Sequence, residues 1–465
     1  MSERKKKKVL IMGLGLHGGG LGAANYFLKK NQEVIITDLR TAQELKHSLD
    51  RLVNTSNVEL VLGRHRYRDF ERADLVIKNP AVRGDSPYLK YAYSKGIRVD
   101  TDVGIFVDNV RKITPNIIGV TGTKGKSTTT ALIHSIIKTT CSDALVAGNI
   151  RVPVLDLLDM VKPGSYVVLE LSSFQLGGIA AKCYSPRLGV FINFMQDHLN
   201  YYADMEDYFR DKEIIYRYQD KNGIMVLNRE DQVYCRAKPH LKGKAISFGV
   251  DRNFTGEGTY IHGQQIWYRN KKKKTPVMDA RSLKLPGKHN LYNVLAAAAV
   301  GCVEGIPEGK IKEAVGSFQG LEHRLEFVGM KKGVGIFNDS AATTPRAAVH
   351  AINSFQDPIN LIAGGTDKGL ETSLLARTIN CRVKNVFLLK GTGTSRLLKS
   401  NILKNYKVYD NLKDAVYDAY NSSTPGDILL FSPGFASFEM FLNEFDRGEQ
   451  FKIIADQILK KGDAP

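Results

Sequence analysis

Short apolar runs of strand length alternate with amphipathic stretches of helix length along most of the chain. In the first hundred residues the runs are Val9–Met12, Glu33–Thr37, Val58–Leu62 and Asp74–Ile77. A second series begins at Asn116–Thr121 and continues through Ala144–Ala147, Ser165–Leu171 and Leu188–Asn193. A third comprises Val334–Asn338, Ile359–Ala363, Asn385–Leu389 and Asp427–Ser432. This is the rhythm of βαβ units, and it predicts three α/β units, each built on a largely parallel sheet. A length of 465 residues accommodates three such cores. The expected boundaries fall near residues 105 and 320, giving domains 1–105, 106–320 and 321–465. No internal repeat or low-complexity tract interrupts the pattern.

Composition narrows the class. Hydrophobic residues at 43% and charged residues at 25% are ordinary for a globular chain and exclude a disordered tail, a fibrous repeat or a disulfide mini-protein. The five cysteines (Cys141, Cys183, Cys235, Cys302, Cys381) form no close pair and no CxxC, which points to free thiols in a reducing compartment. The apolar run after Lys5–Lys8 is too short for a signal-peptide core, and no run spans a bilayer, so a cytoplasmic protein without a transmembrane segment is expected. The 66 Lys+Arg against 48 Asp+Glu leave a net charge of +18. Such an excess favours anionic partners, whether nucleic acid, a membrane surface or acidic small molecules.

Two glycine loops carry candidate chemistry. Gly13-Leu14-Gly15-Leu16-His17-Gly18 follows the first strand, and the next strand ends in Asp38, twenty residues past Gly18. That context suits a phosphate-facing nucleotide turn, although a glycine turn between strand and helix also serves plain packing. Thr121-Gly122-Thr123-Lys124-Gly125-Lys126-Ser127-Thr128 joins a strand to a helix expected over Thr129–Lys138. Its backbone N–H groups can wrap phosphate oxygens, Lys126 can reach the β/γ-phosphates, and Ser127 or Thr128 can hold Mg²⁺. Val120 stands where the strict motif has glycine, so the loop is a variant. Glu170 ends the strand Ser165–Leu169, where it is either a magnesium carboxylate or an exposed strand-end acid. Asp197-His198 follows another strand, as a local hydrogen-bonded pair or a metal or substrate contact.

Taken together and in order, these motifs resemble the Mur ligase family. The stretches are Thr121–Thr128, Glu170-Leu171-Ser172-Ser173-Phe174-Gln175, Asp197-His198, Gly287-Lys288-His289-Asn290 with Asn293, and His323-Arg324. Asn338-Asp339-Ser340 with Ala342-Thr343, Gly364–Lys368, Ser432–Phe438 and Arg447-Gly448 point within it to the glutamate-adding members. The resemblance implies a three-domain Mur ligase architecture: a Rossmann-like UDP-binding domain, a central P-loop ATPase domain and a C-terminal Rossmann-like domain. It implies ATP-dependent addition of glutamate, D ahead of L, to UDP-N-acetylmuramoyl-L-alanine through an acyl phosphate, by a monomer. Leu16, His17, Asp38, Arg40, Ser172 and Gln175 would contact the UDP substrate. Gly122, Thr123, Lys124, Gly125, Lys126, Ser127, Thr128, Asn290, Asn293, Arg324 and Asp339 would contact ATP. Thr343, Lys368, Ser437 and Phe438 would contact the amino acid. Lys126, Glu170, His198 and Lys212 would carry catalysis. Two Mg²⁺ sites would draw on Ser127, Glu170, His198 and Lys212, the last as a CO₂-derived carbamate; without the resemblance Lys212 reads simply as a helix lysine.

Two positions depart from the family pattern. Ala341 stands where many relatives carry lysine, and Glu444 where an aromatic residue often lies, with Phe445 next to it. Both bear on the amino acid added. The rivals are a related Mur ligase, a folate-type polyglutamating ligase and a basic P-loop ATPase acting on nucleic acid. The N-terminal glycine unit argues against the folate enzyme. Neither Lys5–Lys8 nor Lys271–Lys274 interleaves aromatic residues, so the expectation is no nucleic-acid partner. Lys271–Lys274 reads as a solvated loop between two β-rich pieces.

Overall fold

The computed structural model describes residues 6–16, 18–149, 152–198, 201–251, 254–271, 273–283, 287–318, 320–399 and 401–460. The chain forms two compact units, Met1–Ser282 with Leu291–Gly316, and Leu283–Asn290 with Ser317–Pro465.

The first unit holds two sheets. Strands β1 (Lys8–Met12), β2 (Glu33–Asp38), β3 (Val58–Leu62), β4 (Leu75–Lys78) and β5 (Arg98–Asp100) form a parallel sheet in the order β3-β2-β1-β4-β5. Strand order reverses between β1 and β4, which opens a crevice at their carboxyl ends. The second sheet contains β6 (Ile117–Thr121), β7 (Leu145–Gly148), β8 (Val167–Glu170), β9 (Leu188–Phe191), β10 (Ile224–Asn228) and β11 (Lys244–Gly249), followed by β12 (Gly258–His262), β13 (Gln265–Arg269) and β14 (Lys274–Asp279). Its order is β14-β13-β12-β11-β10-β9-β6-β8-β7. Strands β6, β8 and β9 are fully buried, as expected of a parallel sheet covered on both faces, while the edge strand β7 is only partly buried.

The second unit is built on β15 (Glu326–Lys331), β16 (Val334–Asn338), β17 (Ile359–Gly364), β18 (Val383–Leu389), β19 (Lys407–Tyr409) and β20 (Ile428–Phe431), in the order β15-β16-β20-β17-β18-β19. Apolar clusters on both faces, around Leu361 and Leu430 on one and Ile362 and Phe431 on the other, follow from the period-2 alternation.

The twelve strands that hydrophobic periodicity predicts are present, with ends shifted by at most two residues, and β5, β10, β11 and β19 add to them. Three features differ. The helix predicted from Thr129 begins at Lys126, because Gly125 takes a left-handed φ of +84° and releases the chain directly into the helix. The second sheet is not wholly parallel: β12, β13 and β14 form an antiparallel meander, and Lys274 of the expected loop starts β14. Pro276 fits within β14 because that strand is the sheet edge. β15 is likewise antiparallel, and its mixed sequence carries no strand signal of its own.

The turn after β1 is closed by a glycine the fingerprint does not name. Gly13, Gly15 and Gly18 have φ of +91°, +66° and +91°, while a Cβ at Gly20 would overlap the carbonyl oxygens of Gly13 and Leu14. Gly20→Ala therefore forces the helix away from the turn and should destabilise the first unit by about 1–3 kcal/mol, measured as a lower urea midpoint.

Candidate active site

The loop between β6 and the helix Lys126–Lys138 is held by Asn193, two residues beyond β9. Its Oδ1 accepts from the N–H groups of Thr123 (3.0 Å) and Lys124 (2.9 Å), and its Nδ2 donates to the Lys124 carbonyl at 3.0 Å. Lys126 Nζ folds back onto the carbonyls of Gly122 and Thr123, each at 3.0 Å. A side chain at Gly125 would collide with Asn293, whose Oδ1 also accepts from Thr129 Oγ1 at 3.2 Å. Ser127 is buried in the first helical turn. The result is a preformed anion cradle at a helix N-terminus with a lysine at its rim.

Three further side chains gather against this loop. Glu170, at the end of β8, is 1% exposed, so it is not a surface acid. Its Oε1 accepts from Asn149 Nδ2 at 2.9 Å, while its buried Oε2 accepts no hydrogen bond among the described residues. Lys212, at the end of the helix Met205–Lys212, is also 1% exposed. Its Nζ donates to the Gly122 carbonyl at 2.8 Å and reaches Thr121 Oγ1 at 3.4 Å, and it lies over the Tyr208 ring. Burial, reinforced by the Lys126 charge, drives the Lys212 pKa well down, against the pull of Asp197, Asp211 and Glu170. His198 has φ of +56° and sits between the rings of Phe174 and Tyr208. Partial burial lowers its pKa against the opposing Asp197 charge, and Lys126, Lys212 and Lys124 push it the same way. Asp197 Oδ1 accepts from the His198 N–H at 3.0 Å and lies 3.9 Å from its Nδ1, while Oδ2 accepts from Lys124 Nζ at 3.3 Å. The centre thus offers an imidazole and an amine whose protonated forms are disfavoured, and a buried carboxylate oxygen without a partner among the described residues. That oxygen, with Ser127, suits a hard divalent cation.

At the crevice of the first sheet, Asp38 is buried and turned inward. It accepts from Gly15 N–H (3.1 Å) and Arg40 N–H (2.9 Å), with the half-exposed Arg40 guanidinium 3.8 Å away. Leu16 is exposed, and His17 lies outside the described residues. Ser172 and Gln175 form a capping box: Gln175 N–H donates to Ser172 Oγ, and Gln175 Oε1 accepts from Ser172 N–H and Oγ.

In the second unit, Asp339 is 8% exposed and accepts from Leu325 N–H at 3.2 Å and Ser432 Oγ at 2.6 Å. It helps hold a strained turn in which His323 and Leu325, on either side of Arg324, have φ of +61° and +46°. Arg447, fully buried, ties Ser340 to the Phe435 carbonyl. Thr343 and Lys368 line one narrow cleft with Thr366 and Phe435. Ser437 is 3% exposed and its Oγ has no partner among the described residues, whereas Phe438 is exposed. The Glu444 charge acts on both Lys368 and Arg447, and Phe445 lies against the His323 ring. Glu322, His323 and Glu449 cluster closely, but Lys452 already supplies their cation at 3.2–3.6 Å. Asn290 belongs to this unit and Asn293 to the first.

Sequence reasoning missed Asn79, Asn149 and Asn193, which brace Gly13, Glu170 and the phosphate loop respectively. All three stand one or two residues past the carboxyl end of a parallel strand, and that position was their available signal.

The fold and this centre define an ATP-dependent, ADP-forming amide ligase of the P-loop type. Family descriptions match in chain order: the Mur ligase MurD-like N-terminal domain over residues 7–101, the Mur ligase middle domain over 120–301, and the Mur ligase glutamate ligase domain over 323–435. The chain is 39% identical over 464 residues to the UDP-N-acetylmuramoylalanine–D-glutamate ligase of Roseiflexus sp. (strain RS-1), covering 97% of this chain and 98% of that one. It is 37% identical over 470 residues to the enzyme of the same name from Borreliella afzelii (strain PKo), covering 98% and 99%. The UDP-N-acetylmuramate-alanine ligase MurC of Thermotoga maritima shares the fold, with a TM-score of 0.60 at 18% identity over 98% of this chain and 100% of that one. The chain belongs to the Mur ligase family. Among the described residues no helix is long and apolar enough to cross a membrane.

Burial pushes the Asp339 carboxyl from 3.8 to about 7. Between those values the folded chain keeps a proton that the unfolded chain has released, so stability falls as pH rises through that window. Asp339→Asn should flatten that part of the curve, as measured by urea midpoints at pH 5, 6, 7 and 8.

Proposed function

We propose that the protein joins D-glutamate to UDP-N-acetylmuramoyl-L-alanine at the expense of ATP, in peptidoglycan precursor synthesis. The full-length likeness to the two ligases of that name supports the reaction. The observation that carries the chemistry is the grouping of Lys126, Lys212, His198 and the unpartnered Glu170 oxygen around one phosphate loop.

In this reading the substrate carboxylate attacks the γ-phosphorus of ATP, and ADP departs to leave an acyl phosphate. The glutamate amine then attacks the acyl carbon, loses its proton, and expels inorganic phosphate. The loop N–H groups and Lys126 hold the polyphosphate and balance the charge that moves onto the leaving oxygen. Magnesium, when bound, neutralises phosphate charge, and Ser127, Glu170 and His198 are the residues to hold it. Lys212 fits the second site because CO₂ adds only to a neutral amine, and burial favours that form here. As a carbamate it would offer oxygen ligands instead of a cation.

The UDP portion is assigned to the crevice between β1 and β4, with Leu16, Asp38 and Arg40 at its edge. Asn290, Asn293, Arg324 and Asp339 serve the nucleotide. For glutamate, Lys368 supplies the cation, the unpartnered Ser437 hydroxyl a hydrogen-bond donor, and Thr343 and Phe438 the walls.

Release of ADP with UDP-N-acetylmuramoyl-L-alanine and a panel of amino acids tests the reaction. Turnover with D-glutamate and little with L-glutamate is expected; no amino-acid-dependent ADP release would refute it. Lys126→Ala should lower kcat at least a hundredfold with an unchanged melting temperature. Lys212→Ala should lose activity that millimolar acetate or formate restores in part, and normal turnover by that variant would end the carbamate assignment.

A further inference from the structure

We propose that Lys78 is a substrate-binding residue that grips the diphosphate of the uridine diphosphate substrate. This rests on the reading above and adds a residue to it. Lys78 is the last residue of β4, and its backbone pairs with Met12, the residue immediately before the glycine turn. β1 and β4 are the two strands between which sheet order reverses, so Lys78 stands at the mouth of the crevice where such folds take their ligand. The next residue, Asn79, donates to the Gly13 carbonyl at 3.3 Å and ties the end of β4 to the turn.

Within the turn, Gly13 N–H is spent on the Thr37 carbonyl at 2.8 Å, and Gly15 N–H on Asp38 at 3.1 Å. The N–H groups at the start of the following helix carry only partial charge, so the full charge of a diphosphate calls for a cationic side chain as well. Lys78 is half-buried, its pKa is lowered by that burial, and its one hydrogen bond among the described residues is a long one, 3.4 Å, to the Val82 carbonyl. The carboxylates whose charge it feels are Asp211 and Asp102. Neither lies within ion-pair distance. Asp211 accepts from Tyr202 Oη at 2.9 Å, and Asp102 from Val103 N–H at 2.8 Å. An ammonium partly withdrawn from water with no anion in contact is costly, and it is tolerated where a ligand supplies the anion.

The test is isothermal titration of the full-length protein and of Lys78→Gln and Lys78→Arg with two probes, uridine 5′-diphosphate and uridine. Lys78→Gln should weaken UDP binding roughly 10- to 100-fold and leave uridine binding within twofold; Lys78→Arg should recover most of the loss. In steady state the KM for UDP-N-acetylmuramoyl-L-alanine should rise and the KM for ATP should not. Equal weakening of both probes would mean a structural role and overturn the assignment, as would unchanged UDP affinity in Lys78→Gln. Failure of the wild-type protein to bind UDP would instead refute the substrate assignment itself.

Discussion

The hydrogen bond from the sealed amine of Lys212 to the carbonyl of Gly122 is the constraint around which the first unit is organised. A lysine 1% exposed and within reach of the Lys126 charge cannot keep its proton at ordinary cost. The amine gives the Gly122 carbonyl a donor and ties the helix Met205–Lys212 to the end of β6. The same helix presents Tyr208, whose ring meets those of Phe194, His198 and Tyr202. That aromatic wall half-buries His198, and burial disfavours its protonated form.

Asparagines do much of the positioning around this centre. Each carries one donor and one acceptor on a short stem, so a single residue can satisfy both the N–H and C=O groups of a loop. Asn193 does this for Lys124 and also takes the Thr123 N–H, which makes the phosphate loop rigid before any ligand arrives. Asn149 commits one oxygen of Glu170 and leaves the other facing the centre without a proton donor. In the second unit the logic is similar but charged. Glu326 accepts from His323 N–H and Asp339 from Leu325 N–H, which fixes two left-handed residues around Arg324. Arg447 fastens the Ser340 segment to Phe435 from inside the core.

Much of this was legible in the chain. The parallel strands β1, β2, β4, β6, β8, β9, β16 to β18 and β20 announce themselves because strands covered on both faces are nearly continuous apolar runs, and β3 and β7 are short apolar runs although they lie at sheet edges and are only partly buried. The edge strands β5, β14, β15 and β19 did not, since their pairing is set by neighbours rather than by their own composition, and the interior strands β10 and β11 were not picked out either. Lys126 was readable from its glycines alone. Lys212 was not: in sequence it is one lysine among many, and only its burial beneath the phosphate loop separates it from the solvated Lys271 and Lys273.

The excess of positive charge shows the same division. Composition favoured anionic partners, since +18 is a property of the sequence wherever the side chains lie. The order of glycine loops, strand-end acids and buried runs likewise determined three α/β sheets and a nucleotide centre, because local backbone geometry and hydrophobic period are written residue by residue. Which cations act on those anions was decided only by the tertiary structure. Burial disfavours the charged form of Lys212, Lys126 folds back onto the carbonyls of its own loop, and Lys78 stands at the mouth of a crevice with no carboxylate in contact among the described residues. Protonation and desolvation depend on what surrounds a side chain in space, and residues from β4, β6, β8 and the helix Met205–Lys212 become neighbours only when the sheets assemble.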